Sequence, residues 1–259
     1  MLNTKLPLKN ILLSIIICTN TILSQTETNH INNLSIKPDH IEVGAFYNGT
    51  QVKVNAEVTG CSGVVVKLTG DDESIVLNKK ERKALFWLNV AKDTVIHAPS
   101  IYILACTNNL NKLCTREDLE KEMLGYESLK GIIEFRSNLP LTGEEFSEFI
   151  NLKEHKGCYN INNNAVIKSD AGGKQVLQAY LDIPSFIPVG EYEIVVYCFQ
   201  NGKLADKSFA ALSVKKTGLP LFVSNLAIEH APLYGILAII VAMSAGVLIG
   251  MIFTKKRHN

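Results

Sequence analysis

From Leu233 to Phe253 the chain runs 21 residues without a charge, LYGILAIIVAMSAGVLIGMIF, and Lys255, Lys256 and Arg257 follow at once. As a helix rising about 1.5 Å per residue, this stretch reaches roughly 30 Å, the thickness of a bilayer's hydrocarbon core. A helix satisfies its backbone groups internally, and here no charge has to enter lipid. The basic cluster favours the cytoplasmic side, which puts the chain ahead of it on the opposite face. The segment predicts a single-pass anchor for an ectodomain.

The other end agrees. Lys5 and Lys9 precede a mostly apolar stretch from Ile11 to Leu23, and polar Ser24, Gln25 and Thr26 follow. Thr19, Asn20 and Thr21 interrupt it, so it fits a secretory signal peptide over residues 1–24 better than a membrane span. An uncleaved signal anchor is the alternative. Cys18 invites comparison with a lipoprotein, but Ile15, Ile16 and Ile17 before it lack the small residue that processing requires.

Between these segments lie about 200 residues, enough for one large or two small domains. A net charge of +1, without a basic stripe, carries no message about nucleic acid. With 47% hydrophobic and 20% charged residues, the chain is a packed ectodomain rather than a disordered tail.

The first half is dense in short strands. Val52, Val54, Ala56 and Val58 alternate with polar residues, the period of a half-buried strand, and Val64 to Val66 form a continuous apolar run. About seven strands without intervening helices predict an antiparallel immunoglobulin-like β-sandwich over residues 25–109. Then the pattern changes. Thr115 with Asp118 reads as a helix start, and Thr142 with Glu144 and Glu145 as a second, ending near His155 with Phe146, Phe149 and Ile150 on one face. Strands return, and Asn201-Gly202 between two of them signals a type I′ hairpin. The expectation is mainly β: two immunoglobulin-like β-sandwich domains, 25–109 and 110–217, the second carrying a two-helix insertion at 115–155. A juxtamembrane segment 218–232, a transmembrane helix 233–253 and a basic tail 254–259 complete the chain.

Five pieces recur in one order: Phe46–Gly49, Lys79–Lys83, Trp87–Asn89, Pro99–Tyr102 and Leu233–Gly235. They sit within LSIKPDHIEVGAFYNGTQVKV, NKKERKALFWLNV, APSIYILA, IPVGEYEIVVYCFQNGKLADKSFAALSVKKTG and APLYGILAIIVAMSAG. In that order the chain resembles an alphaproteobacterial transmembrane protein family across essentially its whole mature length. It departs at Gly70-Asp71, where the family has Gly-Pro, and at Val247, where the family has Trp. The resemblance implies a cell-envelope protein in the inner membrane, with a periplasmic ectodomain and a cytoplasmic C-terminus. It also suggests the company of a sulfite-exporter-like permease, an association rather than a mechanism.

The mature chain carries five cysteines, Cys61, Cys106, Cys114, Cys158 and Cys198. Outside the cytoplasm they are free to pair. Spacing allows Cys106 with Cys114 and Cys158 with Cys198, which leaves Cys61 over. The alternative is that several are small apolar residues in strands, a role that suits Cys106 and Cys198. The absence of Cys-x-x-Cys weighs against thioredoxin-type chemistry. The histidines are scattered, and His155 with Cys158, one helical turn apart, is the best local pair for a metal; a helix-end histidine beside a structural cysteine is the preferred reading. Phosphate loops and nucleophile elbows are missing, so no enzyme and no cofactor is expected.

Trp87 and Asn89 share one face of a strand, opposite Phe86 and Leu88. Either Trp87 is core, or it stands exposed beside Lys79, Lys80, Arg82 and Lys83 as a docking anchor. In the membrane helix Ala238, Ala242, Gly246 and Gly250 recur every fourth residue, a stripe that lets another helix approach closely. Two readings of function survive. The first is a non-catalytic accessory protein that binds an integral-membrane partner, or itself, through this helix. The second is a redox- or metal-handling envelope protein using Cys61 or the His155/Cys158 pair. A surface-binding adhesin, resting on fold analogy alone, ranks last.

Overall fold

The computed structural model describes residues 30–255 except 84–85, 138–139, 142 and 172–173, and the side chains of 79–91, 171–174 and 252–255 also lie outside the described residues. The signal peptide expected over 1–24 and most of the basic tail fall outside them too.

The protein is mainly β, with a single C-terminal apolar helix long enough to cross a membrane among the described residues. A four-stranded sheet has the order β1 (Ile31–Lys37), β3 (Thr50–Val58), β11 (Lys174–Ile183), β10 (Val166–Ala171), all antiparallel. A six-stranded sheet has the order β2 (His40–Val43), β13 (Lys203–Lys216), β12 (Gly190–Gln200), β4 (Gly63–Gly70), β7 (Tyr102–Cys106), β9 (Tyr159–Asn162). Its two outermost pairings are parallel and its inner ones antiparallel. A third sheet joins β5 (Asp72–Lys83), β6 (Phe86–Pro99) and β8 (Glu134–Ser137).

The six-stranded sheet is the middle layer. Alternate residues of a strand point to opposite faces, and in β4, β7 and β12 both sets are apolar. Val64, Val66, Leu68, Ile103, Ile194 and Val196 pack against Val52, Val54, Leu177 and Ala179 of the four-stranded sheet, which makes the sandwich core. Val65, Leu104, Val195, Tyr197 and Phe199 face the other way, into a second core under the helices and the third sheet. Burial on both faces is why these strands read as continuous apolar runs, whereas β3 alternates cleanly.

The expected division at 109/110 does not separate the sheets. β3 pairs with β11 along nine residues and β4 with β12 along eight, so strands from both halves share each sheet. Alternation tells which face of a strand is buried, not which strand lies beside it, and so it left the pairing open.

The helical insertion is more broken than its composition predicts. It holds α1 (Leu110–Leu113), α2 (Arg116–Lys121), α3 (Tyr126–Leu129), then β8, then α4 (Glu145–His155). Thr115 caps α2 as expected, its hydroxyl accepting from the Asp118 amide at 3.3 Å. Met123 and Gly125 have positive φ (52° and 95°), which turns the chain where one longer helix would have continued. α4 carries Phe149 and Ile150 into the second core. The hairpin at Asn201 (φ 51°) and Gly202 (φ 79°) has the backbone its sequence demands.

The juxtamembrane segment is a helix of its own, α5 (Gly218–Glu229), separated only by His230 from α6 (Ala231–Lys255). The stretch Ala231–Met251 of α6 has a mean hydropathy of 2.3 and is not buried within the chain.

Candidate functional site

The cysteines correct the expected pairings. Cys61, in the β3–β4 connection, is bonded to Cys198 on β12, with their Cα atoms 5.4 Å apart. Cys106, Cys114 and Cys158 are free thiols and all buried. Hence neither Cys106–Cys114 nor Cys158–Cys198 forms. Residues 198 and 64 are register partners on adjacent strands, so Cys61, three residues before Val64, comes back over the end of the sheet to Cys198. Loop spacing in one dimension could not reveal that.

Burial holds the free thiols in their protonated form. Burial pushes Cys106 up to about 12 and Cys114 to about 11, and each has a neighbouring group that adds to the shift. Burial also raises Cys158, against a partial offset from the Lys153 charge. Reactive thiolates need the opposite, a depressed value in an electropositive setting.

His155 and Cys158 differ in burial. His155 is exposed at the end of α4, while Cys158 is buried with its thiol 3.9 Å from the Lys156 carbonyl oxygen. Among the described residues no three His, Cys, Asp or Glu side chains cluster as metal ligands.

Charged groups in the second core act as ties. The Lys153 ammonium lies between Glu73 and the Ser100 carbonyl and over the Phe149 and Tyr159 rings. The Lys67 ammonium donates to the Glu122 carbonyl at 2.7 Å and lies 5.3 Å from the Tyr197 ring centroid. Glu122 in turn meets Lys207 at 3.1 Å. The Tyr102 hydroxyl donates to the Met123 carbonyl and accepts from the Gly125 amide. Each of these contacts fastens the insertion or α4 to the sheets, and each polar atom is satisfied by protein. That is the pattern of a structural network.

A cleft of about 830 Å³ opens beside α1, α2 and α3. Leu110, Cys114, Leu124 and Ile161 line it with Asn109 and Arg116. Sequence reading missed it, because its walls come from segments some fifty residues apart that carry no shared motif.

Trp87, Asn89 and Arg82 lie on the β5–β6 hairpin, where strand register sets Arg82 opposite Trp87 and Lys80 opposite Asn89. The side chains expected to dock a partner lie outside the described residues. The stripe of Ala238, Ala242, Gly246 and Gly250 lies on α6, every one of them exposed, and a Cβ added at Gly246 would meet no atom within 4 Å.

A family model described as Putative transmembrane protein (Alph_Pro_TM) matches residues 33–255. The chain belongs to that family. The match begins just inside β1 and ends at the last residue of α6, so this family's shared unit includes both the β-rich body and the anchor. A search of curated proteins returns no match to the chain. Within the family the coarse reading holds: the protein is anchored in a membrane by one helix near its C-terminus.

Proposed function

We propose that this member of the family is a non-catalytic envelope protein, its β-rich body in the periplasm, acting as an accessory subunit of an integral-membrane transporter. The observation that carries the reading is α6. It is exposed from Ala231 to Met251 and presents small side chains at every fourth position, the surface that helices use to pack closely in lipid. The partner favoured by the family resemblance is a sulfite-exporter-like permease, and self-association is the competing use of the same stripe. The Cys61–Cys198 bond supports a body outside the cytoplasm, where disulfides persist. The redox alternative is disfavoured because Cys61 is consumed in that bond and the remaining thiols are buried and held up.

The test is capture of the full-length protein from mild detergent, wild type beside Gly246→Leu/Gly250→Leu. A co-purifying permease that falls at least about tenfold in the variant, the effect of losing roughly 1.4 kcal/mol of packing, supports the reading. Recovery of the same partner in equal amount from both forms contradicts it.

A further inference from the structure

The end of the sandwich that carries the anchor also carries large exposed apolar side chains. β13 runs to Lys216 and hands the chain to α5 through Thr217. At that end β2 lies parallel to β13, with Val43 opposite Lys216, and the Thr217 amide donates to the Val43 carbonyl at 3.1 Å. The loop after β2, residues 44–49, therefore starts beside the first turn of α5. Its far end is packed on another loop: a Cβ at Gly49 would sit 2.8 Å from the Ile183 carbonyl and 3.4 Å from the Ser185 amide. That second loop, 184–189, leads from β11 into β12, whose first residue pairs with Val214 near the end of β13. Two loops and a helix thus share one end.

Each loop holds one residue inward and one outward. Tyr47 packs against the sandwich core and Ile187 is part of it. Phe46 and Phe186, one residue before each, stand 96% and 77% exposed. No other large apolar side chain of the β-rich body, among the described residues, exceeds 56%. α5 adds Leu219, Leu221, Phe222, Val223 and Ile228, all exposed. A single exposed apolar residue needs no account, but a contiguous group does.

We propose that this end of the ectodomain docks on the lipid surface, with Phe46 and Phe186 inserted at the headgroup/acyl boundary and α5 lying in the same plane. The occupant follows from the chain itself. α6 starts two residues after α5 ends, so a helix in the hydrocarbon core leaves α5 and the end of β13 at the interface. Burying apolar side chains about 5–10 Å into that boundary is how interfacial elements bind. Lys215 and Lys216 are exposed at the same junction, placed to meet anionic headgroups. The Lys216 ammonium donates to the Ser224 hydroxyl at 3.4 Å, which holds α5 back toward the sandwich. The inference rests on α6 as the anchor and does not depend on the transporter partnership. It gives the body a fixed stance on the bilayer instead of a swivelling tether.

The experiment uses the full-length chain in vesicles of phosphatidylcholine with phosphatidylglycerol, their acyl chains brominated near the headgroup. In a Trp87→Phe background, tryptophan is placed singly at Phe46, at Phe186 and, as the distal control, at Lys203 in the β12–β13 hairpin. Co-flotation with vesicles reports the anchor separately. The proposal expects a roughly twofold loss of fluorescence for Phe46→Trp and Phe186→Trp, as for rings at the acyl boundary, and no loss for Lys203→Trp. Vesicle-bound protein in which all three positions remain unquenched overturns the docking while leaving the anchor intact. Protein that does not float overturns both.

Discussion

The sulfur of Cys61 is bonded to that of Cys198, closing a loop that spans 137 positions of sequence. The bond joins the β3–β4 connection to β12, the first strand of the final hairpin, so it staples the first half of the ectodomain to the last. Both residues are buried among the sandwich core.

Closing so long a loop removes much freedom from the unfolded chain, by about 5 kcal/mol on the chain-entropy account. Cys61→Ser and Cys198→Ser are therefore expected to lose similar stability, and the double variant no more than either alone. Denaturant titration reads the loss. Thiol titration of the unfolded protein gives the pairing itself: of the cysteines in residues 30–255, three react before reduction and five after it.

Glu73 and Lys153 form an ion pair with unequal exposure, the Lys153 side chain 5% exposed and that of Glu73 34%. Removing the carboxylate strands a buried ammonium, whereas removing the ammonium leaves a carboxylate that water can reach. Glu73→Ala is expected to cost about 3 kcal/mol and Lys153→Met only about 1 kcal/mol. Equal losses in denaturant titration would mean that the pair is solvated as a unit.

High pH should unfold the body cooperatively. Burial holds Cys106 and Tyr192 up to about 12 and Cys114 to about 11, and it raises Tyr102, Tyr126, Tyr159 and Tyr197 as well. Below the ordinary thiol and phenol values of 9.0 and 10.0 these groups are neutral whether folded or not, and stability is complete. Above them the unfolded chain ionises first and stability falls, by up to about 1.4 kcal/mol per group per pH unit. Lys67 and Lys168, lowered by burial, work in the opposite sense, but they are two groups against several. Denaturation midpoints should hold from neutrality to about pH 9 and drop beyond, with tyrosinate absorbance rising together with loss of structure.

What could be read from the chain depended on how local the cause was. The membrane helix, α4 and the Asn201-Gly202 turn follow from a few neighbouring residues, and all three appear where expected. The buried-both-sides strands were visible as apolar runs at Val64–Val66 and Ile194–Phe199. The pairing of β3 with β11 was not, because period-2 alternation is the same whichever strand lies alongside. For the same reason spacing along the chain leaves Cys61 over, whereas the fold pairs it with Cys198. The juxtamembrane segment 218–232 holds the helix α5, whose first turn includes Gly218 and Pro220, positions where glycine and proline are tolerated. Phe46 and Phe186 lie some 140 positions apart, and only the loop packing at Gly49 brings them to one end.

Membrane anchoring through α6 is the claim on which the proposed partner and the lipid-facing end both depend. Alkaline carbonate extraction of cells expressing the full-length chain, alongside a form ending before Ala231, measures it directly. The account predicts that the full-length protein stays with the membrane pellet while the shortened form is released. Full-length protein recovered in the soluble fraction would contradict it.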